Sequence, residues 1–186
     1  VSISADGAYV VAGSYDDKVY LFGKDSSTPL WNYSTGGVRS VAISGGGEYI
    51  AAGSADNKVY LFDKDGIELW TNTTGDGVRS VAISADGEYI VAGSYDKKIY
   101  LFEKYSKTPL WNYTTEGTVW SVAISADGGY IIASSSEHVY LFDKYSSTPL
   151  WSYLIETDSI SISISADGEY IAFGTWDNKV YLFDKD

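Results

Sequence analysis

His138 is the only histidine of the 186-residue chain, and there is no cysteine. A thiolate nucleophile, a disulfide and a thiolate metal site are therefore excluded. A lone imidazole also lacks the companions that a zinc site needs. His138 reads as a hydrogen-bonded surface side chain in the turn "SSSEH". Two acidic groupings remain. Asp63-Lys64-Asp65-Gly66 starts like a calcium loop, but no glutamate stands at its twelfth position and Leu69-Trp70 resumes a strand-like run. Glu156-Thr157-Asp158 could pair two carboxylates for acid/base hydrolysis, yet reads more simply as a solvated loop. No nucleophile elbow, phosphate-cradling loop or zinc spacing is present. The residues thus predict no enzyme, no cofactor and no metal site.

Charge narrows the partners. Thirteen Lys and Arg stand against 25 Asp and Glu, a net charge of −12. Only Arg39 and Arg79 carry a guanidinium. Contact with phosphates needs clustered cations, so nucleic acid and anionic membrane surfaces are disfavoured. No apolar run reaches the ~18 residues of a membrane-spanning helix, and no membrane insertion is expected. The acidity reads as solubility.

The elements that must position any site come from a repeat. Five segments align: "VSISADGAYVVAGSYDDKVYLF" from Val1, "VAISGGGEYIAAGSADNKVYLF" from Val41, "VAISADGEYIVAGSYDKKIYLF" from Val81, "VAISADGGYIIASSSEHVYLF" from Val122 and "ISISADGEYIAFGTWDNKVYLF" from Ile162. Their starts lie 40, 40, 41 and 40 residues apart. Four continue into a Trp segment: "STPLWNYST", "GIELWTNTT", "KTPLWNYTT" and "STPLWSYLI". Tyr, Val, Ile and Thr favour strands, and no window has the 3.6-residue period of a helix. Each unit reads as strand a ("SVAIS"), an Asp-Gly turn, strand b ("YIVAGS"), a second turn carrying Asp16, Asp56, Asp96 or Asp177, strand c ("KVYLF") and an outer strand d ("LWNYT"). Hairpin turns disfavour a solenoid, and a sandwich has no need of near-identical units. A ring of equivalent blades does accept them. The expectation is an all-β propeller domain over residues 1–186, with blades at about 1–37, 38–77, 78–117, 118–157 and 158–186, the last lacking its outer strand.

The pattern "SVAISADGEYIVAGSYDKKIYLFDK" resembles the WD-repeat propeller family in every copy, with two departures. Phe22-Gly23, Phe62-Asp63, Phe102-Glu103, Phe142-Asp143 and Phe183-Asp184 stand where that family has Trp-Asp, and its Gly-His before strand a is missing. The family's side-chain tetrad is thereby reduced to Ser14, Ser54, Ser94, Ser135 or Thr175 with the turn acids. The "PLW" strand resembles propellers of the pyrroloquinoline-quinone type, which implies that Trp31, Trp70, Trp111 and Trp151 dock between neighbouring blades. No quinone-binding constellation accompanies them. Near-identical copies are similar to recently amplified blades of prokaryotic propellers, archaeal ones included.

Repeats provide their own control: positions that serve the blade agree between copies, and positions that serve a partner are free to differ. Two sets differ most. One opens strand a (Arg39, Arg79, Trp120, Ile160) and the other precedes the second turn's acid (Tyr15, Ala55, Tyr95, Ser136, Trp176). In the family resembled, both sets emerge on one face of the disc. Arg39, Arg79, Trp120, Ile160, Tyr15, Tyr95 and Trp176 are the candidate binding residues, of types enriched at binding hot spots. The competing reading is drift at exposed positions. Asn32, Asn72 and Asn112 head sequons that read as one motif copied three times on the outer strand, and glycan there would put the protein at the cell surface or outside the cell.

The expected function is a non-catalytic scaffold presenting this top face to a protein, peptide or glycan. A glycosylated surface spacer is the alternative, and a fragment of a quinone-dependent enzyme a remote one. Val1 opens in mid-alternation and the chain has no Met, so additional blades are expected to complete a larger ring. Closure of the five blades on themselves and self-association are the other routes.

Overall fold

The computed structural model describes residues 1–155, 157 and 159–186, without the side chains of Ser159 and Ile160. Glu156 and Asp158, the acids of the non-repeated loop, lie outside the described residues, as does the side chain of the candidate Ile160. No described residue is helical. The alternating sequence instead forms five antiparallel sheets. The first holds β1 (Ser2–Ile3), β2 (Tyr9–Gly13), β3 (Lys18–Gly23) and β4 (Trp31–Ser34). The second holds β5 (Val38–Ile43), β6 (Tyr49–Ser54), β7 (Lys58–Asp63) and β8 (Glu68–Thr73). The third runs from β9 (Val78–Ile83) through β10 (Tyr89–Ser94) and β11 (Lys98–Glu103) to β12 (Trp111–Thr114). The fourth runs from β13 (Ser121–Ile124) through β14 (Tyr130–Ser134) and β15 (His138–Asp143) to β16 (Trp151–Leu154). The fifth has three strands: β17 (Ser159–Ile164), β18 (Tyr170–Thr175) and β19 (Val180–Asp184).

Each sheet meanders in chain order and behaves as one propeller blade. The two-residue period gives a blade two apolar faces. In the first, Val11 pairs with Leu21, and Leu21 with Trp31, so these three side chains share the face turned to the second blade. Val10 and Phe22 occupy the opposite face. The core is therefore not one mass but a series of joints. Val11, Val19 and Leu21 pack on Ile50, Tyr60 and Phe62. The same pairing recurs down to Val139 and Leu141 against Ile171 and Phe173.

The turn between strands a and b closes through the Gly7 N–H to the Ser4 carbonyl (2.9 Å). The Ser4 hydroxyl donates to Asp6 (2.6 Å) and accepts the Tyr9 N–H (3.0 Å). Ser at the first position and Gly at the fourth suit such a turn. Serine and aspartate repeat the bond at Ser84–Asp86, Ser125–Asp127 and Ser165–Asp167.

The ring is not closed. Val180 and Leu182, on the outward face of the last blade, are 83% and 73% exposed, whereas their counterparts Val139 and Leu141 are fully buried. Ile3 on the opposite end is 61% exposed.

Candidate functional site

The turns between strands b and c are stiffened by a short side-chain network. The Asp16, Asp56 and Asp96 N–H groups donate to the hydroxyls of Ser14, Ser54 and Ser94 at 3.1–3.2 Å. Tyrosines of strand c then lock the carboxylates: Tyr20 donates to Asp16 (2.6 Å), Tyr60 to Asp56 (2.6 Å) and Tyr100 to Asp96 (2.5 Å). The Tyr20 bond, then Ser14, hold the Asp16 carboxyl below its ordinary range. Burial first, and the neighbouring carboxylate second, push the Tyr60 and Tyr100 hydroxyls well above theirs. The tyrosine partner was not foreseen from the sequence, although a Tyr recurs at that place in all five copies. In the fourth blade the shortened turn has no aspartate, and Ser135 donates instead to the His138 carbonyl (3.4 Å). His138 itself is half-buried, stacks on Tyr140 and lies 3.6 Å from the Glu116 carboxylate.

These turns share a face with the loops that lead into strand a. The Ala55 N–H donates to the Gly37 carbonyl (2.8 Å) and the Tyr95 N–H to that of Gly77 (2.9 Å). The pinning brings three candidates together from three successive blades. The Arg39 guanidinium lies 5.0 Å from the Tyr95 ring centre and donates to its hydroxyl (3.3 Å). Tyr95 meets Trp120 edge-on at 6.1 Å. Among the described residues the buried Trp120 indole nitrogen has no hydrogen-bond partner. Tyr15 and Trp176, on the turns of the end blades, are 81% and 68% exposed. Arg79 stands half-buried on β9.

The sequons are not equivalent. Asn32 and Asn112 follow the docking Trp directly, pair with Tyr20 and Tyr100, and are exposed. Asn72 lies two residues after Trp70, opposite Val59, and so takes the opposite face of its strand. Its amide donates to the Lys107 carbonyl of the next blade (2.9 Å). The reading of one motif copied three times is corrected here, because a one-residue offset reverses the side chain.

The outer part of each joint forms a second kind of site. Trp31, Trp70, Trp111 and Trp151 donate their indole N–H to the carbonyls of Lys64, Lys104, Lys144 and Lys185 in the following blade, at 2.8–3.1 Å. The Lys104 ammonium sits between the Tyr49 and Tyr105 rings (4.6 and 4.7 Å) and pairs with Glu88. The Glu88 bond raises its pKa against the opposing effect of burial. Lys144 lies likewise over Tyr89 and Tyr145. A crevice of about 250 Å³ opens here, lined by Tyr89, Glu103, Leu110, Trp111, Lys144 and Tyr145. Sequence reasoning missed it. The signal was available in the Tyr that opens every strand b and the Lys that follows every strand c.

Among the described residues no group of three His, Cys, Asp or Glu is placed to hold a metal ion. Stacked meandering sheets, a Trp dock at every joint and pinned loops on one face define a β-propeller scaffold. The family model described as outer membrane protein assembly factor BamB matches residues 55–186, more than two thirds of the chain, and the chain belongs to that family of propeller repeats. The model described as WD domain, G-beta repeat matches residues 1–22 and 27–63, so both resemblances hold. No curated protein matches the chain.

Proposed function

We propose that the chain is a non-catalytic binding scaffold whose loop face, carrying the b–c turns and the loops into strand a, grips a protein or peptide. The observation that carries this reading is the Arg39–Tyr95–Trp120 cluster, whose indole N–H has no acceptor among the described residues. A buried donor without an acceptor is uncommon in native proteins and calls for a partner. A carbonyl of a bound chain would supply one. Arg, Tyr and Trp in contact form a rigid amphipathic patch that loses little side-chain entropy on binding. The Ser–Asp–Tyr network holds Tyr95 in place before a partner arrives. Propellers of the matched families generally serve protein interactions, and the "assembly factor" of the family's description favours a protein over a glycan partner.

A displayed peptide library panned on the wild-type chain, with binders measured by calorimetry, tests this. Trp120→Phe, which keeps a ring against Tyr95 but deletes the N–H, and Arg39→Ala should each weaken binding by tenfold or more, about 1.4 kcal/mol. Trp176→Ala should weaken it while leaving the melting temperature unchanged. Binders indifferent to all three substitutions would overturn the reading.

A further inference from the structure

The crevice at the joint between the third and fourth blades lies at the strand ends opposite the loop face. Tyr89 opens strand b, Leu110 leads into strand d, and Lys144 and Tyr145 follow strand c of the fourth blade. A crevice of about 280 Å³ repeats the arrangement one joint earlier, around Tyr49, Trp70, Lys104 and Tyr105. The two crevices are alike in lining and differ in charge.

In three blades the lysine after strand c is neutralised by an acid from the first turn of its own blade. Lys64 pairs with Glu48 (3.1 Å), Lys104 with Glu88, and Lys185 with Glu169 (2.8 Å). The first blade has Ala8 at the acid's place, and Lys24 turns to Asp25 (2.8 Å). The fourth blade has Gly129 there, with the backbone unchanged. The Lys144 N–H donates to the Gly129 carbonyl (3.0 Å) as the Lys104 N–H does to that of Glu88 (2.9 Å). Only the carboxylate is missing, and among the described residues the Lys144 ammonium forms no ion pair. Asp127 acts on it through space, but its Oδ1 is taken by the Ser125 hydroxyl (2.6 Å) and the Gly129 N–H (2.9 Å). The ammonium lies instead over the rings of Tyr89 (4.7 Å) and Tyr145 (5.3 Å). Rings attract a cation but carry no net charge to cancel it.

We propose that this crevice is a second binding site, for a small organic carboxylate with a flat apolar body. The carboxylate sits on Lys144, and the body lies against Tyr145, Leu110 and Trp111. Tyr145 is 86% and Leu110 46% exposed, so both offer apolar surface to a ligand. An aromatic lining with one free charge is the usual make-up of a small-molecule site. The volume of about 250 Å³ suits a single ring with an acid arm, or the last residue of a peptide. Glu103, exposed and opposite Tyr89 in the ladder, lines the same crevice. Its charge opposes any anion, and a doubly charged phosphate or sulfate more than a single carboxylate. The second joint has the same shape, but Glu88 already occupies its ammonium. The crevice shares no residue with the loop face, so this site is independent of that reading.

The test is a titration of the 186-residue chain with phenylacetate, followed by amide and indole NMR shifts. The expected result is a saturable, millimolar site with shifts centred on Trp111, Lys144 and Tyr145. Phenylacetamide, which keeps the ring and loses the charge, should bind about fivefold more weakly, the factor of a half-buried ion pair. Lys144→Gln and Gly129→Glu should each weaken phenylacetate by a similar factor. Gly129 does not have positive φ, and three other blades carry Glu at its place. Unchanged shifts elsewhere in the spectrum verify that both variants fold. Glu88→Gly frees Lys104 and should add a second site centred on Tyr105. Acetyl-glycyl-phenylalanine and its amide distinguish the source of the carboxylate. Tighter binding of this peptide, lost on amidation, assigns the site to chain termini, and tighter binding of phenylacetate assigns it to free acids. Phenylacetate shifts that are absent or scattered over the surface overturn the proposal. So do phenylacetamide binding as well as the acid, Gly129→Glu binding like the wild type, or Glu88→Gly showing one site only.

Discussion

The Trp70 indole N–H donates to the Lys104 carbonyl in the following blade at 2.8 Å, with the Trp70 ring 5.2 Å from that of Phe102. One side chain thus combines an apolar contact with the satisfaction of a backbone acceptor across the joint. Trp70→Phe keeps most of the apolar contact but orphans the carbonyl, and is expected to cost about 1–2 kcal/mol. Trp70→Ala should cost about 3–5 kcal/mol. Urea unfolding measures both, and equal costs would mean that the apolar contact contributes nothing beyond the hydrogen bond.

Glycine at the first turn has a different burden in different blades. Gly7→Ala should cost only the left-handed backbone penalty of about 1–2 kcal/mol, since its surroundings are open. Gly87→Ala meets Tyr49 as well and should cost a further ~1–3 kcal/mol from overpacking. The difference between their unfolding midpoints isolates the crowding term.

Lys97 adopts φ 68° where Asn57 and Asn178 occupy the equivalent turn positions at 70° and 66°. Asparagine tolerates the left-handed region better than lysine does. Lys97→Asn should raise stability by about 0.5 kcal/mol, read as a higher melting temperature with unchanged loop-face binding.

The Asp127 carboxyl is held below its ordinary value of 3.8 first by the Ser125 hydroxyl and then by the Gly129 N–H. Asp6 and Asp167 are lowered by the same two kinds of bond. A folded pKa below the unfolded one contributes stability that is present above 3.8 and lost as the pH falls through the folded value. Asp127→Asn should therefore be less stable than the wild type at neutral pH, with the gap narrowing as the pH falls below 3.8. A gap constant with pH would assign the effect to lost hydrogen-bond geometry alone.

Alkali acts on the second turn with the opposite sign. The Tyr100 hydroxyl, desolvated by burial and bonded to Asp96, is raised above its ordinary value of 10.0. Its contribution is whole below pH 10 and is lost as the pH rises through the folded value. Tyr100→Phe should be less stable near neutrality, and the deficit should shrink above about pH 10. Denaturation curves across that range check it.

Much of the fold was legible because the same forty residues are written five times. Strand order, turn glycines and the absence of helix follow from two-residue alternation bounded by Asp-Gly, and the docking tryptophans were implied by the resemblance of the "PLW" strand to propellers of the pyrroloquinoline-quinone type. The loop-face cluster was legible only as a set of variable positions. That Arg39 reaches Tyr95 in the next blade, and Tyr95 Trp120 in the one after, depends on how blades stack and not on spacing along the chain. Asn72 illustrates the limit of motif reading. It satisfies the sequon as well as Asn32 does, yet one residue of register turns it to the opposite face, toward Lys107 of the next blade.

By itself the sequence determined the blade, because alternation, turn chemistry and strand propensity are local and act within forty residues. Only the tertiary structure decided which faces meet and which stay bare. A blade's apolar sides are closely similar in every copy, and among the described residues Val180 differs from Val139 in having neither an outer strand beside it nor a blade against it. Burial belongs to the pair of surfaces in contact, so no property of a single repeat can record it.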